Sequence, residues 1–227
     1  DRQFDKILQG MIPLPKALRN GLLRCLFFGI KTPLDFQKRY MRHLVYYVLR
    51  KTTTGWSYSF PAALDRKSNY TFMSNHRDIV LDSAFLCVFL LKAGFSTTVE
   101  IAIGDNLLIY PWIKTLVRMN KAFTVNRGLT PKEMLKSSIH MSQYMHYVIN
   151  DKHDNIWIAQ REGRAKDSDD RTQESVLKML NMGGPTPGKT TAEIIENLRN
   201  MNIVPLAISY EYDPCDYLKA KEFQQKR

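Results

Sequence analysis

The sequence predicts an α/β protein, a mixed sheet covered by helices on both faces and preceded by a basic N-terminal pair of helices. Two observations carry this. From about residue 70 onward, short β-rich runs alternate with longer runs of helical periodicity, the pattern of a layered α/β domain. A chain of 227 residues, 44% hydrophobic and 24% charged, also has enough apolar material for one sizeable domain plus a small helical appendage. The division expected is a helical region over 1–66 and an α/β domain over 67–227.

In the first region, Pro15 suits the opening position of a helix. Leu18, Leu22, Leu23, Leu26, Phe27 and Ile30 follow at helical spacing, with Arg19 and Arg24 among them, until Gly29 and Pro33 end the run. A second helix over 34–50 mixes Phe36, Tyr40, Val45, Tyr46 and Leu49 with Lys38, Arg39, Arg42 and His43. Apolar and cationic residues on consecutive helices suit an interfacial membrane anchor. A two-helix cap on a soluble core explains the same periodicity, and the pattern alone leaves both open.

In the second region, strands are expected at 70–74, 97–103, 122–125, 155–159 and 203–210. Helices are expected at 79–93, 108–119, 131–149, 171–181 and 191–201. Thr130-Pro131-Lys132-Glu133 is a helix start, with Thr at the cap, Pro at the first position and Glu at the third. Residues 167–170 and 183–188 read as loops. The longest apolar stretch, 79–95, contains Asp82 and Lys92 and reads as a buried core helix. No segment reaches the roughly 18 uninterrupted apolar residues of a membrane span.

The net charge of +11 implies an anionic partner. Nucleic acid is the weakest choice, because no arginine-rich tract, zinc-finger spacing or aromatic RNA-binding motif is visible. Cys25, Cys87 and Cys215 are far apart and odd in number, which argues against a disulfide framework and fits a reducing compartment. No secretory signal pattern is read in these residues, which begin at Asp1.

Four blocks carry candidate chemistry. The first, Asn75-His76-Arg77-Asp78-Ile79-Val80-Leu81-Asp82, lies between a β-rich run and an apolar helix. A histidine at such a junction, with carboxylates just downstream, is placed to be a general base, and a helix N-terminus helps keep it neutral. The second, Phe123-Thr124-Val125-Asn126-Arg127-Gly128, ends a strand on an arginine whose planar fork suits phosphate. The third, Gln160-Arg161-Glu162-Gly163-Arg164-Ala165-Lys166, sets three cations around one carboxylate and a glycine. The fourth, Ile203-Val204-Pro205-Leu206-Ala207-Ile208-Ser209-Tyr210, is an apolar strand with a proline near its start. Each has a plain structural explanation alone: a capped loop, a surface arginine, a solvated charged loop and a core strand.

Two other matches fail on context. His76-Arg77-Asp78 has the order of a kinase catalytic loop, but Ser83 stands where that loop needs a metal-binding Asn, and no Gly-rich loop precedes it. Gly183-Gly184-Pro185-Thr186-Pro187-Gly188-Lys189-Thr190 fits the P-loop pattern, yet a helical run precedes it and two prolines remove amide donors.

In this order the four blocks resemble the glycerophospholipid acyltransferase superfamily, which includes lysophosphatidic acid and glycerol-3-phosphate acyltransferases. The likeness spans about residues 70–215. It implies acyl transfer in phospholipid synthesis, from acyl-CoA or acyl carrier protein to a hydroxyl of a glycerol-phosphate or lysophospholipid acceptor. It implies His76 as base with an aspartate helper, and Arg127, Glu162, Gly163, Arg164 and Lys166 at the acceptor phosphate. Val204 and Pro205 would shape the acyl side of the cleft. No cofactor or metal is implied beyond the acyl donor, and the expected setting is peripheral, on the cytoplasmic side of a membrane. Two departures are visible: five residues separate His76 from Asp82 where the family usually has four, and Arg164 follows Gly163 directly.

On one regular helix Asp78 and Asp82 would lie about 200° and 240° around from His76, so the histidine is expected before the helix. Asp82 is then the expected helper, its side chain leaning back toward the N-terminus, and Asp78 a helix cap or alternative helper. Other functions stay open: an idle, basic membrane-binding protein of the same fold, acyl transfer to a lyso-aminolipid, or a hydrolase. The last is disfavoured because His43, His140, His146 and His153 show no ligand spacing.

Overall fold

The computed structural model describes residues 2–61, 64–167 and 169–225. Outside the described residues lie Ser168 of the loop expected at 167–170, Asp1, Ala62 and Ala63 of the N-terminal region, and Lys226 and Arg227 of the α/β region. In chain order come α1 (Arg2–Met11), α2 (Lys16–Leu26), α3 (Pro33–Phe36), a π-helical turn (Gln37–Met41) and α4 (Arg42–Thr52). Then follow β1 (Thr71–Ser74), α5 (Leu81–Ala93), β2 (Val99–Gly104), a 3-10 turn (Asp105–Leu107), α6 (Pro111–Met119) and β3 (Ala122–Val125). The chain continues through α7 (Pro131–Asn150), β4 (Asn155–Ala159), α8 (Glu174–Asn181), α9 (Thr191–Arg199), β5 (Ile203–Leu206) and α10 (Asp216–Gln225).

The five strands form one sheet in the order β3-β2-β4-β1-β5. The fold is α/β, as its sequence predicts, but the pairing is parallel throughout instead of mixed. Every connection between successive strands carries at least one α-helix, so none is a hairpin that could return the chain antiparallel.

Neighbouring residues of each strand serve opposite faces. Phe72, Val99 and Trp157 pack with Leu86, Leu90 and Phe95 on the α5 side. Met73, Ile156 and Ile158 pack with Met145, Val148, Leu180 and Met201 on the side of α7, α8 and α9. With both faces covered, a central strand such as β1 is buried at every residue.

The N-terminal helices divide into two kinds. Val45 and Leu49 of α4 are buried against Val88 of α5. The buried Gln37 donates to the Asn120 carbonyl at 2.9 Å and accepts from the Thr98 hydroxyl. The helix expected over 34–50 is thus part of the core, with a π-helical turn in its first half. By contrast, α1 buries no residue and α2 buries only Arg19. Pro15 sits at the cap of α2, one position before the one expected for it.

The strand expected over 203–210 ends at Leu206, opposite Ser74 where β1 ends. Beyond it the Asn75 side chain replaces the ladder, accepting from the Ile208 amide and donating to the Ile208 carbonyl, both at 2.8 Å. Pro205 is exposed on this edge strand, where a missing amide costs the sheet little.

The glycine-rich stretch at 183–188 joins α8 to α9, and its glycines answer a packing demand. A Cβ on Gly183 would lie 2.2 Å from the Gln143 backbone nitrogen, and one on Gly184 would lie 2.1 Å from Asn197 Cγ. Asn197 is fully buried and ties Asn181 to Thr186. Gly184→Ala is therefore expected to lower unfolding free energy by about 2–3 kcal/mol in urea titration. An unchanged midpoint would mean that the turn relaxes freely and that packing does not require the glycine.

Candidate active site

A parallel sheet sends the carboxyl ends of all its strands to one edge. Here β1 runs into His76, β3 into Arg127 and β4 into residues 161–166. The chain leaves β1 for the α5 face and leaves β4 for the opposite face, that of α8 and α9. Adjacent strands with oppositely directed exits open a crevice at their carboxyl ends, the usual ligand position in open α/β sheets.

His76 lies at that edge of the sheet, before α5. Its Nδ1 is 3.0 Å from Oδ2 of Asp82, the second residue of α5. Asp82 is fully buried. Its Oδ2 also accepts the backbone amides of Arg77 and Asp78, at 2.7 and 2.9 Å, while Oδ1 accepts the Tyr210 hydroxyl at 2.8 Å. An ionised carboxylate only accepts, so in the neutral imidazole Nδ1 carries the proton and Nε2 keeps its lone pair. Burial, and then the Asp82 charge, hold the Tyr210 hydroxyl far above the usual phenol range, so it stays a neutral donor.

The five-residue interval is absorbed by the loop at 77–78, which aims two consecutive amides at the carboxylate. Asp78 makes no hydrogen bond to the imidazole. Its Oδ1 accepts the amides of Val80 and Leu81, at 2.9 and 2.8 Å, as a helix-starting cap does. The His76 side chain is 14% exposed. Its ring meets Trp157 edge-on at 5.6 Å between centroids, and the indole donates to Ser74 Oγ at 2.9 Å.

The loop after β4 is stitched to the histidine, since the Ala165 amide donates to the His76 carbonyl at 2.8 Å. Gly163 takes a left-handed conformation, φ 72°, that a larger residue would strain. The expected phosphate-binding residues are divided. Arg127 Nη1 lies 3.6 Å from Glu162 Oε1, with the two side chains 40% and 74% exposed. Gly104 leaves room for that guanidinium, for a Cβ there would come within 2.8 Å of Arg127 Nε. Arg164 is half-buried and has no hydrogen bond or ion pair to another described residue. Lys166 is engaged by Glu222 of α10, and Arg161 donates to the Asp169 carbonyl at 2.7 Å.

Val204 and Pro205 do not share a wall. Val204 packs on the α5 side with Trp157, whereas Pro205, its neighbour on the strand, points to the other face. Tyr210, Trp157 and Lys219 are partners that sequence reasoning did not single out, and none carries a local signal. Among the described residues no group of three His, Cys, Asp or Glu could hold a metal ion. Cys87 is buried, which pushes its thiol up to about 11. An open cleft of about 430 Å³ borders β3 and α7 at Asn126, Lys136, His140 and Tyr144, and His76 does not line it.

No family model, curated protein or solved structure matches the chain. The geometry therefore carries the functional argument.

Removing the two aspartates separates their roles. Asp82→Ala leaves four donors without their acceptor and is expected to cost at least about 3 kcal/mol of unfolding free energy. Asp78→Ala loses only a cap, about 1 kcal/mol. Equal losses in denaturant titration would show that the Asp82 cluster is not the stronger anchor.

Proposed function

We propose that this chain is an O-acyltransferase, moving a fatty acyl group from acyl-CoA or acyl carrier protein to a hydroxyl of a glycerol-phosphate or lysophospholipid acceptor. The observation that carries the reading is the imidazole of His76, oriented through Nδ1 by a buried carboxylate and with no hydrogen bond at Nε2 from the described residues. Nε2 takes the proton of the acceptor hydroxyl as that oxygen attacks the thioester carbonyl. The new C–O ester bond forms, the C–S bond breaks, and the proton passes from Nε2 to the departing sulfur. Asp82 steadies the transient imidazolium. A thioester is already activated, so no acyl-enzyme is required. The nearby Ser74 hydroxyl is buried, donating to the Asn75 carbonyl and accepting from Trp157.

Two cations suit the acceptor phosphate. Among the described residues the Arg127 side chain pairs with the exposed Glu162 at 3.6 Å, and Arg164 has no described partner. A guanidinium binds phosphate through two parallel hydrogen bonds.

Among the described residues no helix is long and apolar enough to cross a membrane. Peripheral contact fits the outer helices: α1 and α2 expose Phe4, Ile7, Met11, Leu18 and Leu22, with Leu14 on the link between them and Phe28 just beyond. Lys6, Lys16 and Arg24 lie exposed among them. Apolar residues interleaved with cations suit an acidic lipid surface.

Two experiments test these readings. Purified protein incubated with labelled acyl donors and a panel of lysolipids should yield acylated product by mass spectrometry. His76→Ala should cut that rate by about two to four orders of magnitude. No product with any pair would sink the acyl-transfer reading, and a variant retaining a tenth of the rate would remove His76 as base.

For membrane contact, a form lacking residues 1–30 should fold yet lose most sedimentation with acidic vesicles. That truncation spares α4, whose Val45 and Leu49 belong to the core. Undiminished vesicle binding would move the membrane contact elsewhere.

A further inference from the structure

We propose that Tyr210 is a positioning residue for the His76–Asp82 pair, brought to it by the segment that follows β5. The inference rests on the acyl-transfer reading for its kinetic test only.

The carboxylate of Asp82 is asymmetrically loaded. Oδ2 takes the imidazole and two backbone amides, and Tyr210 donates to Oδ1. Without that hydroxyl, a fully buried oxygen would have no donor among the described residues, and the carboxylate would be held at Oδ2 alone. With it, both oxygens are held, so the plane of the carboxylate and the direction of the imidazole are set together. A phenol that stays neutral also draws off part of the Asp82 charge without adding one of its own.

Three contacts make the placement of Tyr210 definite. Two residues earlier, Ile208 is gripped at both its amide and its carbonyl by Asn75, the neighbour of His76. The Tyr210 ring packs against Phe85 of α5, centroids 6.1 Å apart, one turn on from Asp82. Further along, the buried Lys219 pairs with Asp213 and donates to the Arg77 carbonyl at 2.6 Å. The Arg77 residue is thereby held at its amide by Asp82 and at its carbonyl by α10. The segment from β5 to α10 thus fastens the histidine loop at the carboxyl end of β1.

Tyr210→Phe removes the hydroxyl and keeps the ring on Phe85. The variant is expected to keep its Tm within a few degrees and its KM for both substrates within about twofold. Its kcat should fall about tenfold, the size of one hydrogen bond to a charged group. In an Asp82→Asn background the same change should cost nothing further, because Tyr210 acts through the carboxylate. Proton NMR gives a readout independent of turnover: the Nδ1–H resonance of His76, absent in His76→Ala, should move in Tyr210→Phe. A lowered Tm with kcat and resonance unmoved would make Tyr210 a packing residue and overturn the inference. If the unaltered protein transfers no acyl group to any acceptor, the acyl-transfer reading fails. The resonance alone then decides for or against Tyr210.

Discussion

The site depends on one buried carboxylate. Asp82 has no exposure to solvent, and an isolated charge in that position would be untenable. It is tolerated because donors converge on it from two parts of the chain: the loop after β1, which supplies the imidazole and two amides, and the segment after β5. It also stands in the first turn of α5, where the helix dipole favours a negative charge. That dipole acts on the aspartate directly, and on the histidine through it. The local chain path follows from this demand: the loop at residues 77–78 directs both amides to Oδ2, and Tyr210 is drawn in from 128 positions away.

How much of this was legible depends on sequence distance. The alternation of strands and helices is a local property, and the predicted strands lie close to the observed ones. His76, Asp82 and Asp78 are within seven residues of each other, so helix geometry alone could assign a partner and a cap. The parallel pairing was not read, because it depends on which strands meet and not on any one segment. Tyr210 and Lys219 were invisible for the same reason. A tyrosine at the end of an apolar run looks like a core residue, and α10 has no apolar stripe to announce it. The opposite orientations of Val204 and Pro205 were within reach, since adjacent strand residues always diverge.

The N-terminal region shows what periodicity cannot separate. α2 and α4 both mix leucines with arginines, and their sequence patterns admit the same two explanations. The difference is whether a partner surface exists. α4 finds one on α5 and buries Val45 and Leu49, whereas α1 and α2 leave most of their apolar side chains outside. A cap on the core and an exposed apolar surface are thus consecutive pieces of one region, and the expected boundary near residue 66 cuts across neither.

The cations around the crevice are not equivalent, and their pairing orders them. Lys166 is held by Glu222 and Arg77 by Asp170, so both serve to fasten loops. Arg127 and Glu162 face each other at a distance and exposure where an ion pair contributes little. On the acyl-transfer reading, that weakness is useful. A phosphate arriving at the carboxyl edge of the sheet would displace a carboxylate that holds the guanidinium loosely, with little loss to the fold. Arg164, which has no described partner to give up, lies on the loop that Ala165 ties to the His76 carbonyl. An anion held by Arg127 and Arg164 would therefore be referenced to the same backbone that sets the imidazole. The hydroxyl it carries would then be placed relative to Nε2 by hydrogen bonds already formed in the folded chain.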